Sequence, residues 1–183
     1  ERRDQRAGES MDTIAATMTA SNRHAVFSDL LQRHRGIVFK VANTYARRAE
    51  DRDDLAQEIA AQLWHAYPRY DPARSFSTWM YRVALNVAIS HVRAQSVRGR
   101  HDAVPLDEGI HDIADATASD HERDQHIRLL QGFIRRQAPL DRALLLLYLD
   151  DRPQREIAEI LGIGESNVST KIGRLKQRIR DEL

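Results

Sequence analysis

The chain has 183 residues, of which 42% are hydrophobic and 30% are charged, and its formal net charge is +1. This hydrophobic content suffices for a core, but a net charge near zero means that any affinity for nucleic acid must come from local basic patches. The absence of cysteine excludes disulfides and cysteine-bearing zinc sites, and no apolar run approaches the roughly 18 residues that a membrane span requires.

The N-terminal quarter of the chain passes from a polar segment into a helical pattern. Residues 1–22 are polar and small, carry no apolar signal core, and are predicted to be disordered. Apolar residues then recur at helical spacing from about His24 to Arg48, and Gly36 lies inside this helix. A second helix is predicted from Asp53 to about Ala66, preceded by acidic residues that suit the positive end of its backbone dipole.

The third predicted helix runs from about Ser75 to Val97, after a turn at residues 67–72 that contains two prolines. No acidic residue occurs between positions 82 and 100. Three aromatic residues lie directly before this stretch, namely Phe76, Trp79 and Tyr81. Cations that follow a phosphate backbone, beside aromatic groups that hold unstacked bases, suit single-stranded nucleic acid. For Trp79, a place in the core is the better interpretation.

The second half of the chain begins with a change of character. Residues 99–121 are rich in acidic side chains and lack periodicity, which predicts a flexible acidic linker. Helical patterning resumes at residues 127–134 and continues at residues 140–149. The predicted fold is therefore all-α, with two small helical domains at residues 23–98 and 122–183.

The last thirty or so residues contain two short helical patterns separated by Gly162-Ile163-Gly164. In the second pattern, apolar residues recur at steps of four, three and four, at Val168, Ile172, Leu175 and Ile179. This arrangement matches the helix-turn-helix motif, whose second helix lies in the DNA major groove. That helix carries five cations against one acid between positions 165 and 180, which suits a phosphate partner. An ordinary helical hairpin with a solvated basic face is the alternative interpretation.

Two segments of the first domain are characteristic of a known family. Residues 54–59 read Asp-Leu-Ala-Gln-Glu-Ile, and residues 76–86 read Phe-Ser-Thr-Trp-Met-Tyr-Arg-Val-Ala-Leu-Asn. Together they resemble region 2 of bacterial RNA polymerase sigma factors, in particular the compact extracytoplasmic-function branch that keeps only regions 2 and 4. Residues 156–179 resemble region 4 of the same branch. The resemblance covers about residues 24–98 and 122–183, and the two motifs in this order are highly specific.

The resemblance implies a promoter-specificity subunit with no catalytic residue, cofactor or metal, acting in the bacterial cytoplasm. Its implied partners are promoter DNA and core RNA polymerase, through the largest-subunit clamp and the flap. Proteins of this branch are usually held inactive by an anti-sigma factor. Three residues of the second helix are placed at the polymerase interface, namely Asp54, Gln57 and Glu58, with Leu55 and Trp64 supporting them from the core. An acidic helix face suits a basic partner helix, although on residue pattern alone a solvated face is the preferred interpretation.

For the melted minus-ten element, the resemblance implies capture of a flipped base by the loop from Asp71 to Ser75, which includes Arg74, and by Asn86 on the third helix. Extruding a base costs a few kcal/mol, which stacking and hydrogen bonds in a pocket must return. An asparagine amide offers both a donor and an acceptor for this purpose. Three arginines of the third helix are expected near backbone phosphates, namely Arg82, Arg93 and Arg98.

For the minus-thirty-five duplex, the resemblance places five residues of the last helix on or beside the major groove, namely Asn167, Ser169, Thr170, Lys171 and Arg174. The chain departs from the commonest family pattern at three positions. Gly164 stands where a serine or proline often begins the helix, although glycine is an acceptable cap. Gly173 replaces a frequent bulky residue, and Ser169 replaces a frequent basic one. Fewer long cationic side chains therefore face the groove.

Two other functions fit parts of the sequence. A conventional helix-turn-helix regulator would bind free duplex DNA, but it needs no single-strand pocket, and no dedicated dimer seam is evident.

A metal-dependent enzyme would use acids and histidines at helical spacing, namely Asp51, Asp54, Glu58 and His65, or the linker histidines His101, His111 and His121. Such residues are far more often solvated than ligating. A dinucleotide loop would need a third glycine after Gly162 and Gly164.

Overall fold

The structure is a computed structural model that describes residues 2–98 and 118–182, with side chains described for residues 22–96 and 125–182. The elements in chain order are α1 (Arg2–Tyr45), α2 (Ala49–Ala66), a 3₁₀ helix (Tyr67–Arg69), α3 (Phe76–Arg98), α4 (Ala118–Arg136), α5 (Pro139–Leu149), α6 (Gln154–Leu161) and α7 (Glu165–Glu182). These residues contain no strand, so the all-α prediction is confirmed for them. Nor does any of these helices combine the length and apolar content needed to cross a membrane.

Two of the predicted segment boundaries differ from the structure. Helix α1 begins at Arg2, whereas the sequence predicted disorder over residues 1–22. This segment contains no proline and many residues of high helix propensity, so the helix that starts in the core extends through it, because propagation costs less than nucleation. Of the predicted linker at residues 99–121, the part before Ala118 lies outside the described residues, and Ala118 begins α4.

The first module consists of α1, α2 and α3, which pack against one another as a three-helix bundle. Helix α2 contributes Leu55, Ile59 and Leu63, which are four residues apart and fully buried. Each such side chain contributes about 1.5–3 kcal/mol through removal from water. Met80 and Ala84 of α3 complete this centre and are equally buried. The periodicity of the sequence therefore predicted the inward faces of α2 and α3, with one exception in α2.

Trp64 is the exception, because the prediction that it supports the second helix from the core is wrong. Its side chain is 38% exposed. Leu63 occupies the inward position at this level of α2, so the next residue along the helix must turn towards the edge of the bundle. There the Trp64 ring lies 5.0 Å from the His24 ring and 5.2 Å from the Phe27 ring.

The second module consists of α4 to α7. Val168, Ile172 and Leu175 of α7 are buried and Ile179 is partly buried, so the predicted apolar stripe is confirmed. Helix α6 ends at Leu161 and is capped by Gly162, which has a φ of 66°, in the left-handed region that an L-residue rarely adopts. The backbone N–H of Ile163 then donates to the carbonyl of Ala158 at 3.2 Å, and this turn directs α7 across α6.

The two modules pack against each other, with α3 contacting α5 and α6, and α1 contacting α4 and α5. Asp150, which directly follows α5, is the central acceptor of this contact. It accepts hydrogen bonds from Lys40, from the Tyr81 hydroxyl at 2.9 Å and from Arg152 Nε at 3.3 Å. Burial opposes ionisation of Asp150, but these donors outweigh it and hold its pKa below the ordinary value. Burial and the bond to Asp150 raise the pKa of Tyr81, so its hydroxyl remains a donor.

Candidate nucleic-acid interface

The acidic face of α2 is formed by Asp54, Gln57 and Glu58, all of which are exposed. Their spacing of three and four residues places them on one side of the helix, away from the buried Leu55. Glu58 Oε2 lies 3.3 Å from Nδ1 of His91 on α3, so this carboxylate already has a partner within the first module. The structure therefore brings the three predicted residues together on an open surface, whose role remains a prediction.

The loop before α3 has a defined shape, which its own side chains maintain. Asp71 Oδ1 accepts a hydrogen bond from the backbone N–H of Ala73 at 3.0 Å, and the Tyr70 hydroxyl donates to the carbonyl of Arg74 at 2.6 Å. The Ser75 hydroxyl lies 3.0 Å from that of Ser77. Asp71, Arg74 and Ser75 are all exposed. This loop is therefore a preformed feature.

Helix α3 brings three of the predicted residues onto one exposed face. Arg82, Asn86 and Arg93 are exposed and are separated by four and seven residues, so they lie within about 40° of one another around the helix. Tyr81, Ala84 and Ala88 are buried on other sides of α3. Arg98, the remaining predicted arginine, is the last residue of the helix. An amide flanked by two guanidinium groups is an arrangement that can contact a base and its neighbouring phosphates.

A cluster of aromatic side chains adjoins this loop. Trp79 is half-buried and packs against the core, and its ring lies 5.1 Å from that of Tyr70 and 5.3 Å from that of Phe76. Tyr67 stacks on Tyr70 at 6.1 Å. Tyr67 and Tyr70 were not predicted from the sequence, because they lie in a turn where no helical period identifies them. The sequence feature that could have identified them is their position on either side of Pro68-Arg69, at the turn before α3.

Helix α7 presents an outer face opposite its buried stripe. Asn167, Thr170 and Arg174 lie on this face and are exposed. Ser169 is exposed at its edge. Lys171 differs from the others, since it is half-buried and its Nζ lies 3.3 Å from Oδ1 of Asp141 on α5. The structure thus brings three of the five predicted residues into one surface and directs Lys171 towards an intramolecular partner.

No group of three or more histidine, aspartate or glutamate side chains that could hold a metal ion occurs where the structure describes side chains. His65 instead lies with Nδ1 2.7 Å from the carbonyl oxygen of Ala61 on its own helix. Of the linker histidines, His101 and His111 lie outside the described residues, and the side chain of His121 is not described.

Comparisons with known proteins give the family. The model of Sigma-70 region 2 matches residues 30–98, and that of Sigma-70 region 4 matches residues 134–179. The chain is 26% identical to the RNA polymerase sigma factor CnrH of Cupriavidus metallidurans over 93% of both chains. It is also 26% identical to the ECF sigma factor SigM of Mycobacterium tuberculosis, over 91% of this chain and 81% of SigM.

Two solved structures share the fold. CnrH in complex with the cytosolic domain of CnrY matches with a TM-score of 0.62 and 22% identity, over 92% of this chain and 94% of CnrH. The sigma factor RpoE of Bartonella quintana, in complex with the anti-sigma factor NepR, matches with a TM-score of 0.69 and 13% identity, over 85% and 94% of the two chains. At these identities the likeness concerns the fold alone. Because both region models match in order, and the described residues form helices without a strand, this protein belongs to the extracytoplasmic-function sigma factors, which are transcription initiation factors of bacterial RNA polymerase.

Proposed function

We propose that this chain binds core RNA polymerase and directs it to promoters by contacting both the minus-thirty-five duplex and the melted minus-ten strand. The observation that carries this proposal is the exposed face of α3, which presents Arg82, Asn86 and Arg93 and whose first turns adjoin a preformed loop and an aromatic cluster. A protein that reads only duplex DNA has no need of such a surface. The site of action is the bacterial cytoplasm, where the polymerase is.

The polymerase contact is proposed for the acidic face of α2. Asp54, Gln57 and Glu58 can accept hydrogen bonds from a basic helix of the clamp, and their charge would steer its approach. Trp64 lies two turns from Gln57 on the same side of α2 and is exposed. Exposed aromatic side chains are common anchors at interfaces. We therefore include Trp64 in this contact as a surface residue, in place of the supporting role expected from the sequence.

Strand capture is proposed for the loop at residues 71–75 and for α3. Asn86 would supply the donor and acceptor that a flipped base requires, and Arg82 and Arg93 would contact the adjoining phosphates. The aromatic side chains beside the loop provide faces on which unpaired bases stack. Arg98 is proposed as a further phosphate contact at the end of α3.

Duplex recognition is proposed for the outer face of α7. Asn167, Thr170 and Arg174 point away from the buried stripe and are positioned to reach base edges in a major groove. Ser169 and Lys171 lie beside that face and suit backbone contacts, which Lys171 could make after release from Asp141. The helix therefore offers one arginine for a bidentate contact, with shorter polar side chains around it.

The partner of RpoE in its solved structure is an anti-sigma factor. We propose a regulator of the same class for this chain.

Run-off transcription with core polymerase on a promoter library tests this function. Asn86→Ala should reduce open-complex formation while binding to the duplex element persists, because it removes the proposed base contact alone. Arg174→Ala should weaken binding through the upstream element by about 1–3 kcal/mol if its contact is bidentate. The matched controls are Asn43→Ala on α1 and Arg128→Ala on α4, both at exposed positions outside the proposed surfaces. Equal transcription by all four variants across promoters would contradict the assignment.

A further inference from the structure

Glu159 of the second module contacts the proposed strand-capture surface of the first, which is the loop at residues 71–75 together with the exposed side of α3. A cavity of about 40 Å³ lies at the N-terminal end of α3. Its lining includes Arg74, Ser75, Thr78, Trp79, Arg82 and, from α6, Glu159. Glu159 Oε1 accepts a hydrogen bond from Arg74 Nη1 at 3.1 Å. The carboxylate of α6 thus holds the guanidinium group that is proposed to meet DNA.

Glu156, one turn earlier on α6, makes a second contact of the same kind. Its Oε1 accepts from the Thr78 hydroxyl at 2.7 Å and from Arg152 Nη1 at 3.0 Å. Arg152 Nη1 also donates to the Ser77 hydroxyl at 3.2 Å. The hydroxyl groups at the start of α3, which would be available to a phosphate, are therefore engaged by the second module.

The contact of α6 with α3 and the loop before it is made by polar side chains, as is typical of contacts that open and close reversibly. Arg74 and Glu159 remain largely exposed, with 63% and 48% of their side-chain surfaces accessible, so their attraction is screened by salt. The bonds of Asp150 to Lys40 and Tyr81 hold the same two modules together at a more buried point. Polar contacts between domains of one chain permit relative motion more readily than apolar ones.

The proposed polymerase contact lies outside this closed arrangement. Asp54, Gln57 and Glu58 are exposed while Arg74 and Thr78 are engaged by α6. The closed chain can therefore meet the polymerase while Arg74 and Thr78 are held by α6.

We propose that α6 is a built-in inhibitor of strand capture, in which the carboxylates of Glu156 and Glu159 take the place of nucleic-acid phosphates against Thr78 and Arg74. This inference rests on the proposed function of α3. Opening of the contact releases Arg74 and Thr78 from the two glutamates, so that both can meet the strand. An anionic strand competes directly with the two glutamates, so closure reduces the apparent affinity in proportion to the fraction of closed chains.

Distance measurement between the modules tests the closed contact without polymerase or promoter. The chain has no cysteine, so spin labels can be placed uniquely at Gln62→Cys on α2 and Gln131→Cys on α4, both exposed. The wild-type chain should show one narrow distance distribution at low salt. Glu156→Gln combined with Glu159→Gln should shift it to longer, broader distances. Glu50→Gln, the matched control at an exposed position of α2, should leave it narrow.

Strand binding is measured on the same chains with a fluorescent pool of random single-stranded DNA. The double variant should bind about fivefold to thirtyfold more tightly than wild type, which corresponds to the loss of one or two kcal/mol of closure. Glu50→Gln gives the effect of removing one negative charge alone.

Three results would overturn the proposal. An unchanged distance distribution with equal strand binding would show that the contact is not inhibitory, while strand capture by α3 stands. A broad distribution in the wild-type chain would show that no closed contact forms. Separation of the labels without binding of the pool by any variant would refute strand capture, and the inhibitory role with it.

Discussion

Replacing Tyr81 with phenylalanine removes one hydroxyl group from the contact between the modules and changes nothing else. The Tyr81 ring is fully buried at 0% exposure, so phenylalanine can occupy the same space. The lost hydrogen bond joins this hydroxyl to an ionised acceptor, Asp150, at 2.9 Å. Hydrogen bonds to charged groups contribute about 1.5–3 kcal/mol. Because Asp150 is 17% exposed and keeps Lys40 and Arg152, we expect a loss near 1.5 kcal/mol, the lower end of that range.

Urea denaturation measures this loss. The two tryptophans, Trp64 and Trp79, both lie in the first module, so fluorescence follows its unfolding, whereas circular dichroism follows both modules. For the wild-type chain, the two signals should change together if the modules unfold as one unit. A loss of 1.5 kcal/mol corresponds to a lower midpoint by about 0.5–1.5 M urea at the slopes usual for small proteins.

A double-mutant cycle assigns the loss to this pair. Tyr81→Phe and Asp150→Ala should show a coupling energy of about 1 kcal/mol, because each removes the same bond. Tyr45→Phe is the matched control: the Tyr45 hydroxyl donates to the neutral carbonyl of Pro139 at 2.6 Å, so it should cost about 0.5–1.5 kcal/mol without coupling to Asp150. A coupling energy below about 0.3 kcal/mol for the first pair would refute the reasoning.

Two further predictions concern the turn of the second module and the pH dependence of stability. Gly162→Ala should lower the free energy of unfolding by about 1–2 kcal/mol because φ is 66° there, whereas Gly173→Ala, inside α7 with open space around an added Cβ, should raise it by about 0.5–1 kcal/mol. Similar midpoints for both variants in urea would contradict this account of the turn. Since the folded chain lowers the pKa of Asp150, its ionised form favours folding. This contribution should be complete at neutral pH and lost as the pH falls below about 4 and through the lowered pKa, and Asp150→Asn should flatten that part of the pH–stability curve.

The helices and their inward faces were predictable because each is specified by neighbours along the chain. Leu55, Ile59 and Leu63 recur every four residues, and Gly162 stands where a helix must end, so local pattern was enough. The same reasoning was wrong for Trp64, because an apolar residue next to an inward position can equally be at the edge of the bundle. It also missed the helical N-terminal segment, which has helix-forming composition but no apolar stripe.

Contacts between distant parts of the chain had no sequence signal. Arg74 and Glu159 are 85 positions apart, and no periodicity joins them. Lys171 matched the recognition-helix pattern, but its pairing with Asp141 depends on how α7 packs on α5. Asp150 and Arg152 follow a helix as ordinary polar residues, and only the approach of the first module makes them the centre of the interface.

Binding to core RNA polymerase that lacks a sigma subunit is the most direct test of the central claim. The purified chain, freed of any inhibitory partner and fluorescently labelled, should show saturable binding in a titration with core polymerase. Glu58→Lys should weaken that binding at least about tenfold, because it places a cation in the acidic face that is proposed to meet a basic helix, and like charges at an interface cost several kcal/mol. Asp29→Lys, at an exposed position of α1 outside that face, should bind nearly as the wild type does. Failure of the wild-type chain to bind core polymerase saturably would contradict the account.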